Sequence, residues 1–156
     1  MIILGIDPGT NRLGYALIDK RGRHFNPLVY GCWEFSIRDR PYRLKQINKN
    51  IRQLIKKYHP EYLAIEGIYF FKNAKTVMQI SEARGVILLT AAVLKIPIIE
   101  LAPLEIKQKL TGYGRSDKKE IQKKVTETLK LKTCPKLDDT SDALAIALAA
   151  FKKLQI

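Results

Sequence analysis

Four acidic residues lie at the ends of predicted strands or at the start of a predicted helix. Asp7 and Glu66 each close a short apolar run that is typical of a buried strand. Acidic residues are depleted within strands and are rarely buried without a partner. Asp139 and Asp142 lie three residues apart at the start of a predicted helix, a spacing that places both on one face of its first turn.

Such a set of carboxylates favours the binding of divalent cations. Sites gather at strand ends in α/β sheets, so two parallel neighbouring strands bring Asp7 and Glu66 to the same edge. Four converging carboxylates repel one another unless a cation lies between them, and Mg²⁺ prefers oxygen ligands. Two such ions, roughly 3.5–4 Å apart, activate water and stabilise the leaving oxygen in phosphodiester cleavage.

Each acid also has a simpler explanation when it is taken alone. Asp7 is suited to begin a turn at the Pro-Gly pair that follows it, and Glu66 is able to pair with a lysine. Asp138, Asp139 and Asp142 suit the first turn of a helix, where the macrodipole favours negative charge. Taken together on a strongly basic chain, the acids favour the metal site.

The spacing of apolar residues along the chain predicts the strands and helices that position these acids. Three apolar runs joined by short turns predict an antiparallel meander, and short strands then alternate with helices. This order predicts an α/β fold with a mixed sheet and places residues 1–156 in a single domain. The predicted strands cover residues 2–7, 14–19, 28–37, 62–66 and 98–101, and the predicted helices cover residues 44–58, 74–95, 104–110, 117–131 and 141–153.

The charge of the chain indicates a polyanionic partner. With 28 Lys and Arg against 15 Asp and Glu, the formal net charge is +13. Ten basic residues and three acids lie within 107–136, and eight basic residues and one acid lie within 38–57. Clustered positive charge is typical of a phosphate-binding surface, although a lysine-rich helix is also a common solvated face and basic proteins also bind anionic membranes.

Several classes of function are disfavoured by what the sequence lacks. Cys32 and Cys134 show no spacing for zinc or for a disulfide framework, and His24 and His59 show no ligand spacing. No phosphate loop of the Walker type and no Ser-His-Asp or Cys-His set is apparent. The N-terminus does not resemble a signal peptide, and no apolar run is predicted to span a membrane. The chain is therefore expected to be a soluble cytoplasmic protein.

The segments that carry these residues resemble the RuvC family of Holliday-junction resolvases. The resemblance implies an RNase H-like fold, with a five-stranded mixed sheet and helices on both faces. It also implies a homodimer that nicks opposed strands of a four-way junction during DNA recombination and repair, with the RuvA–RuvB branch-migration machinery as its partner. The segments are, in chain order, GIDPGTNRLGYALID, IEGIYFFKNA, SEARGVI, KQKLTGYGRSDKKEIQ and DDTSDALAIALA.

The resemblance also assigns roles to particular residues. Asp7, Glu66, Asp139 and Asp142 match the family's metal-binding carboxylates and are expected to hold two Mg²⁺ ions, for which Mn²⁺ is a possible substitute. The presence of Asp138 leaves open which of the two adjacent aspartates is the ligand. Lys107 and Lys118 match family lysines near the scissile phosphate, and Tyr69 matches an aromatic residue that contacts DNA near the crossover. Apart from the resemblance, Phe70, Lys72, Arg115 and Lys119 are also expected to contact DNA.

Two segments keep a second explanation. Aromatic residues such as Tyr69 and Phe70 suit stacking on unpaired bases or insertion at a junction centre, but Phe70 or Phe71 also suits the core. The long helix after them carries more apolar residues than one face needs. That helix is predicted either to pack beneath the sheet or to contact a second subunit.

Three other functions compete with junction resolution. The string DPGTNRLG loosely resembles the phosphate loop of actin-like sugar kinases, although 156 residues are too few for their two domains. A nuclease of the RNase H type, acting on RNA–DNA hybrids, would share the fold. A junction-binding module without catalysis is the third, and the presence of all four acids argues against it.

Overall fold

The computed structural model describes residues 1–35, 39–67 and 74–155. Five strands and five helices are found in these residues. The strands are β1 (Ile2–Pro8), β2 (Arg12–Arg21), β3 (His24–Glu34), β4 (Tyr62–Glu66) and β5 (Ile98–Leu101). The helices are α1 (Arg40–Tyr58), α2 (Ala74–Val93), α3 (Pro103–Thr111), α4 (Lys118–Thr128) and α5 (Asp138–Lys153).

The strands form one mixed sheet in the order β3-β2-β1-β4-β5. The β1–β2 and β2–β3 pairs are antiparallel, whereas β1–β4 and β4–β5 are parallel. Helices α1 and α2 cover one face of the sheet, and α3, α4 and α5 enclose a second core on the other face. The predicted five-stranded mixed sheet with helices on both faces is confirmed.

Alternation along β1 and β4 decides which face carries the acids. Leu4 and Ile6 belong to the core beneath α1 and α2, whereas Ile3 belongs to the core beneath α5. Successive side chains of a strand point to opposite faces, so Asp7 emerges on the α5 side. On β4, Ile65 faces α1 and α2, and Glu66 emerges on the α5 side by the same rule.

Helix α5 lies unusually close to the sheet because two glycines offer no side chain. A Cβ on Gly5 would stand 2.4 Å from the carbonyl oxygen of Ala143, and one on Gly14 would stand 1.9 Å from the carbonyl oxygen of Asp139. Neither distance is possible for a real side chain. The glycines of β1 and β2 therefore bring the N-terminal part of α5 down onto the strand that carries Asp7.

Several predicted boundaries differ from the structure. Helix α5 begins at Asp138 rather than 141, so Asp138 and Asp139 lie in its first turn. Helix α4 ends at Thr128 rather than 131, because the chain reaches a left-handed conformation at Lys130, where φ is 52°. Strand β3 begins at His24, since the β2–β3 turn is tight and pairing extends to Arg21.

No apolar run was predicted to span a membrane, but one segment of α2 is long and apolar enough for a span by length and composition alone. Thr76–Val93 in α2 has a mean hydropathy of 1.2, and 28% of it is buried in the fold. Its two charged residues are paired within the protein: Arg40 of α1 binds Glu82, and Arg84 binds Glu100 of β5. These pairs show that α2 is packed as a layer on the sheet.

Candidate metal centre

The four predicted acids meet at one end of the sheet. Ile6 lies beside Ile65 in the parallel pair of β1 and β4, so Asp7 and Glu66 follow at neighbouring strand ends. Asp139 reaches the same end of the sheet from the first turn of α5. Its Oδ1 lies 3.5 Å from the point where a Cβ on Gly9 would be. Asp142 follows one turn later on the same face of the helix.

The electrostatic consequence is greatest at Asp7. Burial raises the pKa of its carboxyl group, and the nearby charges of Asp142, Glu66 and Asp139 raise it further. Lys118 offsets only part of this effect, so the pKa of Asp7 reaches about 8. A carboxyl group with such a pKa is surrounded by too much negative charge to ionise easily without an added cation.

The pKa values of Glu66 and Asp142 are also raised, although a lysine opposes the rise in each case. Burial raises the pKa of Glu66, the charge of Asp142 adds to it, and Lys107 acts in the opposite direction. Burial also raises the pKa of Asp142, although the charge of Lys118 and its hydrogen bond lower it. The acids therefore form one coupled set rather than four independent side chains.

Lys118 is the cationic side chain that partly neutralises this set. Its Nζ donates to Asp142 Oδ2 at 3.2 Å and lies 3.1 Å from Asp138 Oδ2. Burial lowers the pKa of Lys118, but hydrogen bonds and charges of Asp138 and Asp142 outweigh it and the pKa is raised. Asp138 thus contacts Lys118, whereas the charge of Asp139 acts on Asp7.

The donor set fits a hard divalent cation. All four candidate ligands are carboxylates, and carboxylate oxygens are the ligands that Mg²⁺ prefers. Among the residues that the structure describes, no group of three or more His, Cys, Asp or Glu side chains has the geometry to hold a metal ion. Lys118 hydrogen-bonds to Asp142, so a cation at Asp142 would compete with this lysine.

A cleft opens beside the acids between α3, α4 and α5. Its charged lining consists of two acids, Glu66 and Asp142, and two lysines, Lys107 and Lys118. The remaining wall is apolar and consists of Pro103, Ile106, Ile121, Ala145 and Ile146. A cleft with carboxylates facing lysines is suited to hold a phosphate beside bound cations, because the lysines neutralise phosphate charge that the carboxylates repel.

The other predicted DNA contacts divide into two groups. Arg115 and Lys119 are both exposed and flank the start of α4, on the side of Lys118. The loop that carries Arg115 is held by Thr111, whose hydroxyl lies 2.7 Å from that of Ser116. Tyr69, Phe70 and Lys72, together with the alternative core position of Phe71, lie outside the described residues.

Two buried arginines that the sequence analysis did not single out support the site. Arg84 of α2 donates from Nη1 to the carbonyl oxygen of Glu66 at 2.6 Å and pairs with Glu100, which fixes the end of β4. Arg43 of α1, 2% exposed, donates to the carbonyl oxygen of Thr10 in the turn after Asp7. An arginine inside an apolar helical stretch is the sequence signal for Arg84, because a buried guanidinium needs acceptors.

Comparison with known proteins adds a second line of evidence. The sequence pattern of the family described as "Crossover junction endodeoxyribonuclease RuvC" matches residues 3–150. The chain is 49% identical over 148 residues to the crossover junction endodeoxyribonuclease RuvC of Petrotoga mobilis, covering 94% of this chain and 91% of that protein.

Solved structures give the same result. The fold resembles Thermus thermophilus RuvC with a TM-score of 0.93 and 27% identity, over 99% of this chain and 96% of that one. It also resembles T. thermophilus RuvC in complex with a Holliday junction substrate, with a TM-score of 0.94 and 27% identity, over 99% and 95% of the two chains.

Proposed function

The chain belongs to the RuvC family, and from that membership we propose that it is a metal-dependent endonuclease that resolves four-way DNA junctions in recombination and repair. The family's RNase H-like fold is the one observed. The single observation that carries the proposal is the coupled set of Asp7, Glu66, Asp139 and Asp142, in which the pKa of Asp7 rises to about 8. Such a set costs stability unless a cation binds, which is typical of a functional site.

The metal is proposed to be Mg²⁺, with two ions per site and Mn²⁺ as a substitute. Asp7 is the shared ligand, because three other carboxylates act on it, and Glu66 with the Asp139 and Asp142 pair completes the set. When bound, such ions lower the pKa of water and neutralise charge on a phosphate.

The chain's own basic residues position the DNA strand in this proposal. Lys107 and Lys118 line the same cleft as Glu66 and Asp142, so they neutralise charge that develops on the phosphate during cleavage. Arg115 and Lys119 extend the positive surface along the adjoining loop and α4 and bind phosphates farther from the cut. Tyr69, Phe70 and Lys72 are proposed to contact DNA near the crossover. The expected products are nicks with 5′-phosphate and 3′-hydroxyl ends.

A homodimer is proposed because paired nicks on opposed strands require two sites. The exposed side of α2 offers an apolar surface for such an interface: the exposed fractions are 59% for Met78, 62% for Leu89 and 59% for Val93. Exposed large apolar side chains on one helix are typical of protein contacts. We further propose that the whole chain is one nuclease domain, that it acts in the cytoplasm and that the RuvA–RuvB complex delivers its substrate.

Cleavage of a synthetic four-way junction tests the proposal. The junction, a linear duplex and an RNA–DNA hybrid are incubated with the protein in Mg²⁺ and in EDTA, alongside Asp7→Asn. Asp19→Asn serves as the matched control, because Asp19 is an aspartate on the neighbouring strand at the other end of the sheet. Paired Mg²⁺-dependent nicks on the junction, lost only in Asp7→Asn, are the expected result.

The other outcomes identify the competing functions. Preferential cutting of the hybrid would assign the protein to hydrolysis of RNA–DNA hybrids. Tight junction binding without cutting, in Mg²⁺ and in Mn²⁺, would leave a binding module. Either result contradicts the proposal.

A further inference from the structure

Lys118 is shared between two carboxylates that differ in their surroundings. Its Nζ lies 3.1 Å from Asp138 and 3.2 Å from Asp142. Asp142 belongs to the coupled acids around Asp7, whereas Asp138 is 63% exposed and is not among the charges that raise the pKa of Asp7. The lysine is therefore held by a proposed metal ligand, Asp142, and by a more exposed acid, Asp138, whose charge acts on Asp142 but not on Asp7.

Asp138 is itself fixed by the helix that carries Lys118. The side-chain amide of Gln122 donates to Asp138 Oδ1 at 3.2 Å, and Lys118 binds the other oxygen, Oδ2. Gln122 lies one helical turn after Lys118 on α4, so both side chains project from the same face of that helix. The carboxylate of Asp138 is thus oriented toward Lys118 by two contacts from a single element.

This arrangement bears on how the site takes up a cation. As long as Lys118 is bound to Asp142, the ammonium group and a metal ion compete for the same carboxylate. If Asp142 were the only partner of Lys118, freeing it would leave the ammonium group without a counter-charge. Asp138 removes part of that cost, because Lys118 keeps one carboxylate partner when it leaves the other.

We propose that Asp138 is a positioning residue, which holds Lys118 at the cleft while Asp142 is released for metal binding. Gln122 supports this role by orienting the carboxylate of Asp138. The inference rests on the proposed function in one respect, namely that Asp142 is a metal ligand. It assigns a purpose to the first acid of the Asp138-Asp139 pair, which the ligand set does not use.

The test is a double-mutant cycle on metal affinity without DNA. Mg²⁺ and Mn²⁺ are titrated by calorimetry and by thermal melting into the wild type, Asp138→Ala, Lys118→Met and the double variant. Asp138→Ala is expected to weaken metal binding by about two- to fivefold, the size of an exposed ion pair. Lys118→Met is expected to tighten binding, because the competing cation is gone.

The interaction between the two substitutions decides the matter. In the Lys118→Met background, Asp138→Ala is expected to have a smaller effect than in the wild type, because only the direct action of its charge on Asp142 is then lost. Glu127→Gln, an exposed acid on the same helix, measures the effect of losing a remote negative charge. Gln122→Met should weaken metal binding in the same direction as Asp138→Ala, but by less.

Two results would overturn the inference. An equal effect of Asp138→Ala in both backgrounds would show that Asp138 acts only through its charge, and no effect in either would show that it has no role. Melting curves without metal establish that each variant is folded. A wild type that binds neither metal would also overturn it, since Asp142 would then not be a ligand.

Failure of the proposed function is distinguishable from failure of the inference. Junction cleavage by the wild type tests the function, whereas the cycle is measured without DNA. Coupling without junction cleavage would reject the function and retain the inference. Cleavage without coupling would do the reverse.

Discussion

Two aspartates of one β-hairpin have opposite surroundings. Asp19 on β2 lies opposite Ile2 at one end of β1, where Arg21 donates to it at 2.6 Å and the N-terminal amine of Met1 at 3.3 Å. Asp7 lies at the other end of β1, where its nearest charged neighbours are mainly carboxylates.

The two pKa values move in opposite directions for this reason. Burial by itself raises the pKa of Asp19, but hydrogen bonds from Arg21 and the terminal amine outweigh it, and the pKa is lowered. Burial and the other acids raise the pKa of Asp7 to about 8. An aspartate with cationic partners stabilises the fold, whereas a buried aspartate among other carboxylates lowers the stability of the fold when it ionises.

The largest expected difference between the two concerns cleavage. Asp7→Asn is expected to reduce junction cleavage by more than about 100-fold, because it removes the proposed shared ligand of the two metal ions. Asp19→Asn is expected to leave cleavage unchanged. Cleavage rates at saturating Mg²⁺ measure both effects, and a comparable loss in the two variants would contradict the distinction.

A second difference concerns stability against pH in the absence of metal. The pKa of Asp7 is higher in the folded state than in the unfolded chain, so its contribution is fully present below about pH 4. That contribution is lost as the pH rises towards 8, and Glu66 and Asp142 act in the same direction. The free energy of unfolding in EDTA is therefore expected to fall by on the order of a few kcal/mol between pH 5 and about pH 8.5.

Denaturant unfolding in EDTA across this pH range measures the fall. The free energy of unfolding should fall less steeply with pH in Asp7→Asn than in the wild type. Near pH 8 the variant should melt several degrees higher than the wild type, by about 2–4 °C per kcal/mol of added stability. Addition of Mg²⁺ should stabilise the wild type more than the variant. Identical pH profiles for the two proteins would show that Asp7 carries no such strain.

A third prediction concerns the helix that brings the acids together. Gly14→Ala is expected to lower the free energy of unfolding by about 1–3 kcal/mol, because its Cβ would overlap the carbonyl oxygen of Asp139. Metal affinity should also fall, because Asp139 is displaced from Asp7. Gly114→Ala is the control, since its Cβ would have no neighbour closer than 3.6 Å. Unchanged metal affinity in a folded Gly14→Ala protein would show that the seating of α5 does not set the site.

The smallest expected effect belongs to Asp19. Asp19→Asn should lower the free energy of unfolding at pH 7 by about 1 kcal/mol, because Arg21 is 83% exposed and water screens the pair. The lowered pKa means that the contribution is present above the unfolded pKa and is lost as the pH falls through the folded value. Urea unfolding at pH 7 and at pH 3 tests this, and a larger loss at pH 3 would contradict it.

The local parts of the structure were predictable from the sequence. Apolar runs ending in Asp7 and Glu66 identified β1 and β4, because strands buried on both faces are apolar throughout. The spacing of Asp139 and Asp142 placed both on one helical face. The capping box that opens α4 is also local, because it joins the side chains and backbone of Asp117 and Glu120, which are three residues apart.

The division of labour between adjacent acids was not predictable. Asp138 and Asp139 are the same residue type, and their roles depend on how α5 is rotated about its axis. That rotation is set by contact with Gly5 and Gly14, which are more than 120 residues away in the chain. The supporting contact from Arg84 to the carbonyl oxygen of Glu66 is likewise a consequence of packing between distant elements.

The charged residues, the strand and helix segments and the family resemblance can all be read from the amino-acid sequence. These follow from side-chain type and short-range spacing. Tertiary packing places Asp7 near three carboxylates and Asp19 beside cations. It also brings Lys118 into contact with both Asp138 and Asp142. The physical reason is that electrostatic energy depends on distance and burial, and both are set by packing between segments far apart in the chain.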